Sequence, residues 1–385
     1  MPRLAVLFVL SAASSPCPDL NLIHYNAHPA RSSATEVSFQ TTSNISLYNH
    51  DFVQKLVLSN MIYPWHQNQW RQLANHWENR PNAWLFTGKE NTGKTAFARF
   101  VAQALLCESP REDHQPCGVC ASCHLFLQNS HPDFYELTPE IPEDGAVGRK
   151  LLQIKIDAVR DIVENIYLTA VRGGLRVVLV HPAESMNVQA ANGLLKALEE
   201  PPQHVVFLMV THARDKLLPT IKSRCRQMVL PAPSRDEALA YLRKEGVGDA
   251  ESLLAFHSGA PLFARTPEID DLREELLTLL AAPRLLTILD YAAAFDKHKQ
   301  PLAVFIDWMQ KWLLDVGLAQ QQMPPLYYPD YAQALSQTAC KTDPRRLFAL
   351  TGRLNALSPY GYHTLSVKMQ LEYLLTEYLE FWQNK

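Results

Sequence analysis

The chain has 385 residues, which is long enough for two or three domains that each bury a core of their own. Hydrophobic residues make up 47% of the sequence and charged residues 19%, the proportions of an ordinary globular protein. The formal net charge of -3 gives no general argument for binding nucleic acid or a membrane, so any such contact must come from a local patch. No apolar run approaches the roughly 20 residues that a membrane-spanning helix needs.

The N-terminal part differs in composition from the rest of the chain. The string MPRLAVLFVLSAASSPC has one arginine, a short apolar run and small residues, so it superficially resembles a signal peptide. From there to His50 the chain is polar and lacks periodicity, which is typical of disorder. We expect residues 1–60 to be a disordered tail or an over-extended start, with Met61 as the true start, and we expect the protein in the cytoplasm. A secreted or lipid-anchored protein is the alternative.

Strand and helix patterns alternate in the first half of the folded part. The runs LRVVLV (175–180) and VVFLMV (205–210) are almost continuously apolar, as expected for central parallel strands buried on both faces. A helix predicted over 186–200 separates them, and two prolines end it. Further predicted elements are strands at 82–88 and 133–138 and helices at 94–107 and 157–170. The series predicts a three-layer α/β domain with a parallel sheet.

After this alternating region the sequence shows only helical patterns. PAPS (231–234) is typical of a linker, and Ser234 with Glu237 predicts a capping box at the start of the next helix. Proline and glycine interruptions divide the remainder, and one near 281–284 indicates a domain break. We predict an α/β domain at 61–230, a helical lid at 231–282 and a C-terminal helical domain at 283–385.

The string GKENTGKT matches the phosphate-loop pattern GxxxxGK[ST], and it follows a predicted strand and opens a predicted helix. Gly88 and Gly93 allow backbone N–H groups to close around phosphate oxygens. Lys94 can reach the outer phosphates, and the Thr95 hydroxyl can bind magnesium. These residues predict a nucleotide-binding loop, which is a weaker statement than nucleotide hydrolysis.

Hydrolysis also needs a carboxylate at the end of the neighbouring strand to hold magnesium. The strand LRVVLV ends in His181-Pro182, and neither residue is a suitable ligand for this ion. Glu184 lies slightly further along and is a weaker candidate for compensation. The sequence therefore predicts a degenerate magnesium site and a lost catalytic centre.

A cysteine module at 107–123 predicts a structural zinc site, because soft thiolates with CxxCxxC spacing and a fourth cysteine nearby can form a tetrahedron. The four predicted ligands are Cys107, Cys117, Cys120 and Cys123. His114 and His124 are less favoured substitutes. A disulfide and reduced core cysteines are the alternatives.

Arg224 lies in the string SRC at a predicted helix end, shortly before the last strand. A single arginine there is most often a surface ion pair, but beside a phosphate loop it could reach a neighbouring chain's nucleotide and stabilise the transferring phosphoryl group. Thr211, at the tip of VVFLMV, is a candidate polar residue that senses nucleotide. An ordinary strand-end threonine is the alternative.

Several strings occur in one order and together carry a family resemblance. They are MIYPW (61–65), the phosphate loop, LLC…CGVCASC (105–123), HPD (131–133), VRGGLRVVLV (171–180), NVQAANGLLKALEEPP (187–202) and LLPTIKSRC (217–225). The chain closely resembles the bacterial clamp-loader AAA+ proteins over about 61–385, most strongly over 61–230. LLKALEEPP and SRC are highly specific to that family.

Three kinds of clamp-loader subunit differ in the motifs they keep. The motor subunit (gamma/tau) resembles this chain in the cysteine module and SRC, but it has an Asp-Glu strand end and an arginine in the lid. Here the lid reads HSGAPLFA (257–264), and Arg265 comes too late to match. The delta subunit typically lacks the four cysteines and SRC. The pattern is therefore most similar to delta prime, and an active ATPase motor subunit is the alternative.

The resemblance implies a C-shaped protein made of an AAA+ domain, a lid and a collar domain. It implies a stator of a hetero-pentameric loader with delta and gamma/tau subunits, which acts on the sliding clamp and primer-template DNA within the complex. Such a chain would not be catalytic alone but would be part of the DNA-directed DNA polymerase (nucleotidyltransferase) holoenzyme, with Arg224 serving the adjacent motor subunit's ATP. Many delta prime proteins have a degraded phosphate loop, whereas this loop is intact, so ATP binding without turnover is expected.

Overall fold

The computed structural model describes residues 62–139, 151–362 and 366–383. The predictions for residues 1–60 and for a start at Met61 lie outside these ranges. None of the helices in the described ranges is both long and apolar enough to cross a membrane.

Five parallel strands form the sheet at the centre of the α/β part. They are β1 (Ala83–Thr87), β2 (Phe134–Leu137), β3 (Arg176–Val180), β4 (Val205–Thr211) and β5 (Arg226–Val229). Their order across the sheet is β2-β3-β4-β1-β5. Strands β1, β3 and β4 are buried along their whole length, which explains why apolar residues fill them without alternation.

Helices cover both faces of this sheet. They are α1 (Gln67–Ala74), α2 (Lys94–Leu106), α3 (Ala121–Leu127), α4 (Ile156–Ile166), α5 (Val188–Glu199) and α6 (Pro219–Arg224). On β1, Leu85 belongs to a hydrophobic cluster with Leu194 of α5, whereas Phe86 belongs to a second cluster with Phe97 of α2. A sheet with an apolar cluster on each face is the predicted three-layer α/β arrangement, which is confirmed.

Helix α4 is shorter than the helix predicted over 157–170, because it ends at Ile166. Around that end the buried guanidinium of Arg176 donates to three backbone carbonyl oxygens. These belong to Asn165, Leu168 and Thr169. Hydrogen bonds to a charged side chain thus replace the helical ones and let the chain turn towards β3.

The described residues that follow the sheet form helices and connecting turns. The helices are α7 (Arg235–Lys244), α8 (Ala250–Phe256), α9 (Pro267–Ala281), α10 (Leu285–Lys297), α11 (Leu302–Gln320), α12 (Ala332–Lys341), α13 (Pro344–Leu357) and α14 (Val367–Gln383). The predicted capping box is present at the start of α7: the Ser234 hydroxyl accepts from the backbone N–H of Glu237, and the Glu237 carboxylate accepts from that of Ser234.

Two hydrophobic clusters stabilise these helices. A small one joins α7 and α8 with Phe263, and a large one joins α9 to the helices that follow it. Leu276 and Leu280 of α9 belong to the large cluster. The domain boundary predicted between 282 and 283 stays a prediction, although the leucines of α9 pack with the C-terminal helices.

Candidate functional site

The phosphate loop connects the end of β1 to the start of α2. Gly88 follows the strand, and Gly93 is the N-cap of the helix that begins at Lys94. A Cβ atom on Gly88 would lie 2.3 Å from the carbonyl oxygen of Leu230, and one on Gly93 would lie 2.4 Å from the ring of Tyr63. Only glycine fits at either position. The loop therefore lies at a helix N-terminus, where free backbone N–H groups favour an anion such as phosphate.

Lys94 is buried in this loop, and its ammonium group donates to the carbonyl oxygen of Lys89. Burial lowers the pKa of Lys94 to about 8, and the carboxylates of Glu90 and Glu184 oppose that shift. The lysine therefore remains mostly protonated at neutral pH. Thr95 is partly exposed in the first turn of α2. The role of these side chains in binding nucleotide stays a prediction.

Two segments distant in sequence hold the loop in place. The indole N–H of Trp65 donates to the carbonyl oxygen of Thr92 at 2.9 Å, and the backbone N–H of Leu262 donates to that of Asn91 at 3.1 Å. Sequence reasoning missed both contacts. The motif MIYPW was the available signal for the first, whereas nothing in the sequence near Leu262 indicates the second.

His181 lies directly after β3, at the position where hydrolysis would need a carboxylate. Its Nε2 atom is 2.7 Å from Oε1 of Glu136 on β2, and Arg99 pairs with the other oxygen of that carboxylate. The imidazole is thus already engaged with a neighbouring acid. These residues do not fit a magnesium site of the kind that hydrolysis requires.

Glu184 is the acid nearest in sequence to this strand end. Its Oε1 accepts from the backbone N–H of His212 at 2.9 Å, whereas its buried Oε2 has no hydrogen-bond partner among the described residues. The carboxylate contributes negative charge near Lys94. Glu184 therefore already has a partner in the turn after β4. That Glu184 could replace the missing magnesium ligand stays a prediction.

Arg224 is the last residue of α6. Its Nη2 atom is 2.5 Å from Oε1 of Glu199 at the end of α5, and its Nη1 donates to the carbonyl oxygen of Thr220 at 2.8 Å. The side chain is 31% exposed. These contacts hold the guanidinium at the surface, where the C-terminal ends of α5 and α6 meet. Its role towards a neighbouring chain stays a prediction.

Thr211 is the last residue of β4 and pairs in register with Thr87 of β1, so it lies beside the start of the phosphate loop. It is fully buried, and its hydroxyl oxygen accepts from the backbone N–H of Ala213 at 3.2 Å. Its observed bond belongs to a local turn, and a role in sensing nucleotide stays a prediction.

The four predicted cysteines come together in one cluster. Their sulfur atoms all lie within 4.8 Å of one another, and the distances are 3.9 Å from Cys107 to Cys120 and 4.0 Å from Cys117 to Cys123. Four sulfurs placed tetrahedrally at about 2.3 Å from zinc would be about 3.8 Å apart. The cysteines are free thiols, which argues against the disulfide alternative. The donor set fits a metal ion with four thiolate ligands.

Comparisons with known proteins place this chain. Family models described as "DNA polymerase III, delta subunit" and "DNA polymerase III, delta subunit, C terminal" match residues 65–234 and 267–382. DNA polymerase III subunit delta prime of Pseudomonas aeruginosa is 38% identical over 66% of this chain and 77% of its own length. The chain belongs to the DNA polymerase III delta prime family. The delta prime subunit of Haemophilus influenzae is 33% identical over 66% of this chain and 76% of its own length.

Motor-type proteins are similar to a smaller part of this delta prime family member. DNA polymerase III subunit tau of Escherichia coli is 37% identical over 39% of this chain and 22% of its own length. The predicted resemblance to delta prime is therefore confirmed, and the motor alternative is less favoured.

The Glu136 network predicts how stability depends on pH in this delta prime protein. Burial raises the pKa of Glu136, but the hydrogen bond from His181 and the charge of Arg99 outweigh burial and bring the pKa to about 2. Because this lies below the ordinary value of 4.5, Glu136 stabilises the fold above pH 4.5, and that contribution is lost as the pH falls towards 2.

We expect Glu136→Gln to lower the free energy of unfolding at pH 7 by roughly 2–3 kcal/mol. The deficit should shrink as the pH falls through the same window, and urea unfolding at several pH values measures it. Glu108→Gln is the control, because Glu108 forms an exposed pair with Arg172 and should cost little. A deficit that does not vary with pH would contradict the assignment.

Proposed function

We propose that this chain is the stator subunit of a DNA polymerase III clamp loader. In this proposal it assembles with delta and gamma/tau subunits into a hetero-pentamer, and it meets the sliding clamp and primer-template DNA through that complex, in the cytoplasm. Family membership supports the assembly role. The chain would contribute to the holoenzyme without being catalytic alone.

The observation that carries the lack of catalysis is the pairing of His181 with Glu136. At the strand end that should supply a magnesium ligand, an imidazole is 2.7 Å from a partly buried carboxylate that also pairs with Arg99. Without a metal-holding acid, ATP in the loop would lack the charge neutralisation that phosphoryl transfer needs. We propose that the loop can hold ATP and does not hydrolyse it.

Arg224 is proposed to act in trans. Its guanidinium is partly exposed, and the described contacts of that group go to α5 and α6 rather than to the loop. An arginine presented in this way can stabilise charge on a phosphoryl group bound by an adjacent subunit. The nucleotide that it serves would belong to a gamma/tau subunit.

Zinc is proposed as the ion of the cysteine cluster. Four thiolates, with sulfur separations close to those of a tetrahedral site, match the preference of zinc in structural sites. The role of the ion would be to hold the insertion between α2 and β2, and no open coordination position for catalysis is implied.

An autonomous ATPase motor is the second candidate, because the phosphate loop is intact and subunit tau is 37% identical over its matched segment. The two candidates differ in the activity of the isolated chain. We expect no magnesium-dependent ATP hydrolysis above background, and we expect Lys94→Ala to change only nucleotide binding.

The test measures phosphate release and binding of a fluorescent ATP analogue on the same purified chain, with Lys196→Ala as a control lysine on α5. A hydrolysis rate that Lys94→Ala abolishes and Lys196→Ala leaves intact would establish the motor alternative and refute the stator proposal.

A further inference from the structure

The four thiolates of the cysteine cluster come from two separate stretches of chain. Cys107 directly follows α2, whereas Cys117, Cys120 and Cys123 lie in the next loop and at the start of α3. The sequence between Cys107 and Cys117 reads ESPREDHQP, which has no apolar pattern that would fix its path. Turn hydrogen bonds between Arg111 and Gln115 order this stretch, and the backbone N–H of Cys117 donates to the Cys107 sulfur at 3.3 Å. A further contact links the end of α2 to the start of α3.

Ser122 makes this further contact. It is 1% exposed, and its hydroxyl donates to the carbonyl oxygen of Leu106 at 2.6 Å, one residue before Cys107. This carbonyl is one of the terminal groups that α2 leaves without a helical partner. Because Ser122 also lies between Cys120 and Cys123, one hydrogen bond joins the two ligand-bearing stretches.

His131 fixes the orientation of that hydroxyl. Its Nε2 atom is 2.6 Å from the Ser122 oxygen, and its Nδ1 accepts from the backbone N–H of Asp133 at 3.1 Å. Since the serine proton is given to Leu106, the hydroxyl oxygen must accept from Nε2–H. All three groups are then satisfied by one tautomer, which is the arrangement expected of a buried polar network that specifies a structure.

Asp133 carries the network to the sheet. It is 1% exposed, and its carboxylate accepts from the backbone N–H groups of Val171 at 2.8 Å and Arg172 at 3.0 Å. Arg172 in turn pairs with Glu108, on the other side of Cys107. The two neighbours of Cys107 are thus connected to the segment that enters β3. Leu106 is connected through Ser122, His131 and Asp133, and Glu108 is connected through Arg172.

Ser122, His131 and Asp133 could also be compared with a nucleophilic triad, but the geometry excludes it. The serine is buried and its proton points to a backbone carbonyl. The histidine receives the backbone N–H of Asp133, whereas a triad needs the imidazole to donate to the carboxylate. The network is structural.

We propose that Ser122 and His131 are positioning residues of the metal site, which hold Cys107 against the other three thiolates although neither binds the metal. The inference rests on the proposal that the four cysteines bind zinc. Outer hydrogen bonds of this kind, when removed, weaken metal affinity by about 10- to 100-fold. The effect should fall on Cys107 more than on the other cysteines, because Cys107 alone comes from the α2 side.

The experiment uses the full chain. Zinc affinity is measured by competition with a chromogenic chelator, and the ligand set is read from the absorption spectrum of the cobalt(II) form. We expect Ser122→Ala and His131→Ala each to weaken zinc binding about 10- to 100-fold while the four-sulfur cobalt spectrum is kept. Ser130→Ala and His124→Ala, which alter an exposed histidine of α3 and an exposed serine just after it, should bind zinc as the wild type does.

Two further readouts separate positioning from general destabilisation. The double variant should lose no more affinity than a single one, since both side chains act through the same bond to Leu106. In the zinc-loaded variants, alkylation mapped by mass spectrometry should be faster at Cys107 than at Cys117, Cys120 or Cys123. His131→Gln, which can place a donor near the hydroxyl, should recover part of the affinity.

The possible results distinguish the zinc proposal from the positioning role of Ser122 and His131. If the wild type binds no zinc, the metal proposal fails, and the positioning role fails with it. If the wild type binds zinc and the Ser122 and His131 variants bind it equally well, only the positioning role is refuted. Equal alkylation of all four cysteines in weakened variants would also refute it, because the loss would then reflect the whole module.

Discussion

Replacing Arg224 with alanine is expected to reduce ATP turnover at the adjacent motor subunit by about 10³-fold or more, while the complex still assembles. The reason is that a guanidinium compensates negative charge that develops on the transferring phosphoryl group, and alanine cannot do so. Arg224 is suited to this because it lies at the surface end of α6 and is held on one side by Glu199.

The measurement requires a complex in which only one ATP site can hydrolyse ATP. Motor subunits that are inactive in hydrolysis fill the other positions, so that single-turnover phosphate release comes from the site next to this chain. Arg214→Ala removes another exposed arginine of the same domain and serves as the control. Turnover by Arg224→Ala at the rate of that control would show that Arg224 does not act in trans.

The ion pair with Glu199 also explains why Arg224 can be changed without unfolding the chain. The pair joins two partly exposed side chains, and such surface pairs contribute at most about 1 kcal/mol. A loss of turnover accompanied by a normal melting temperature would therefore report on catalysis. The same variant should leave zinc content unchanged, because the cysteine cluster lies in the insertion between α2 and β2, away from α6.

The sequence predicted those parts of the molecule that a continuous stretch determines. The phosphate loop is read from eight adjacent letters, and the structure shows the steric reason at Gly88 and Gly93, where a Cβ atom would collide with other groups. The buried strands were predictable because a parallel sheet covered on both faces is filled almost entirely by apolar residues. The cysteine cluster was predictable from the spacing of its four cysteines, because all of them lie within residues 107–123.

Contacts between distant residues could not be predicted in this way. His181 was recognised as unsuitable for magnesium, but its partner Glu136 is 45 positions away and lies on another strand. Ser122 and His131 stood inside recognised strings without a role, because only the fold shows that the serine hydroxyl reaches Leu106. The early end of α4 has the same origin, since Arg176 reaches it from β3. Each of these features depends on a contact that only the folded chain brings about.

Replacing one of the four cysteines is expected to cause a large loss of zinc affinity, and this change tests the metal site directly. Cys120→Ser should weaken zinc binding roughly 10²- to 10³-fold, because four ligands share a binding free energy of roughly 10–16 kcal/mol in structural zinc sites. Metal analysis after dialysis should give about one zinc ion per wild-type chain and much less than one for the variant.

The control for this change is Cys340→Ser, which removes an exposed cysteine outside the cluster. It should keep the zinc and the melting temperature of the wild type. Because thiolates must be deprotonated to bind the ion, the wild-type affinity should fall as the pH is lowered, and Cys340→Ser should follow the same curve. If Cys120→Ser retained a full zinc ion at wild-type affinity, the ion would have to be held elsewhere, and the cysteine cluster would be reduced thiols of the insertion rather than its metal centre.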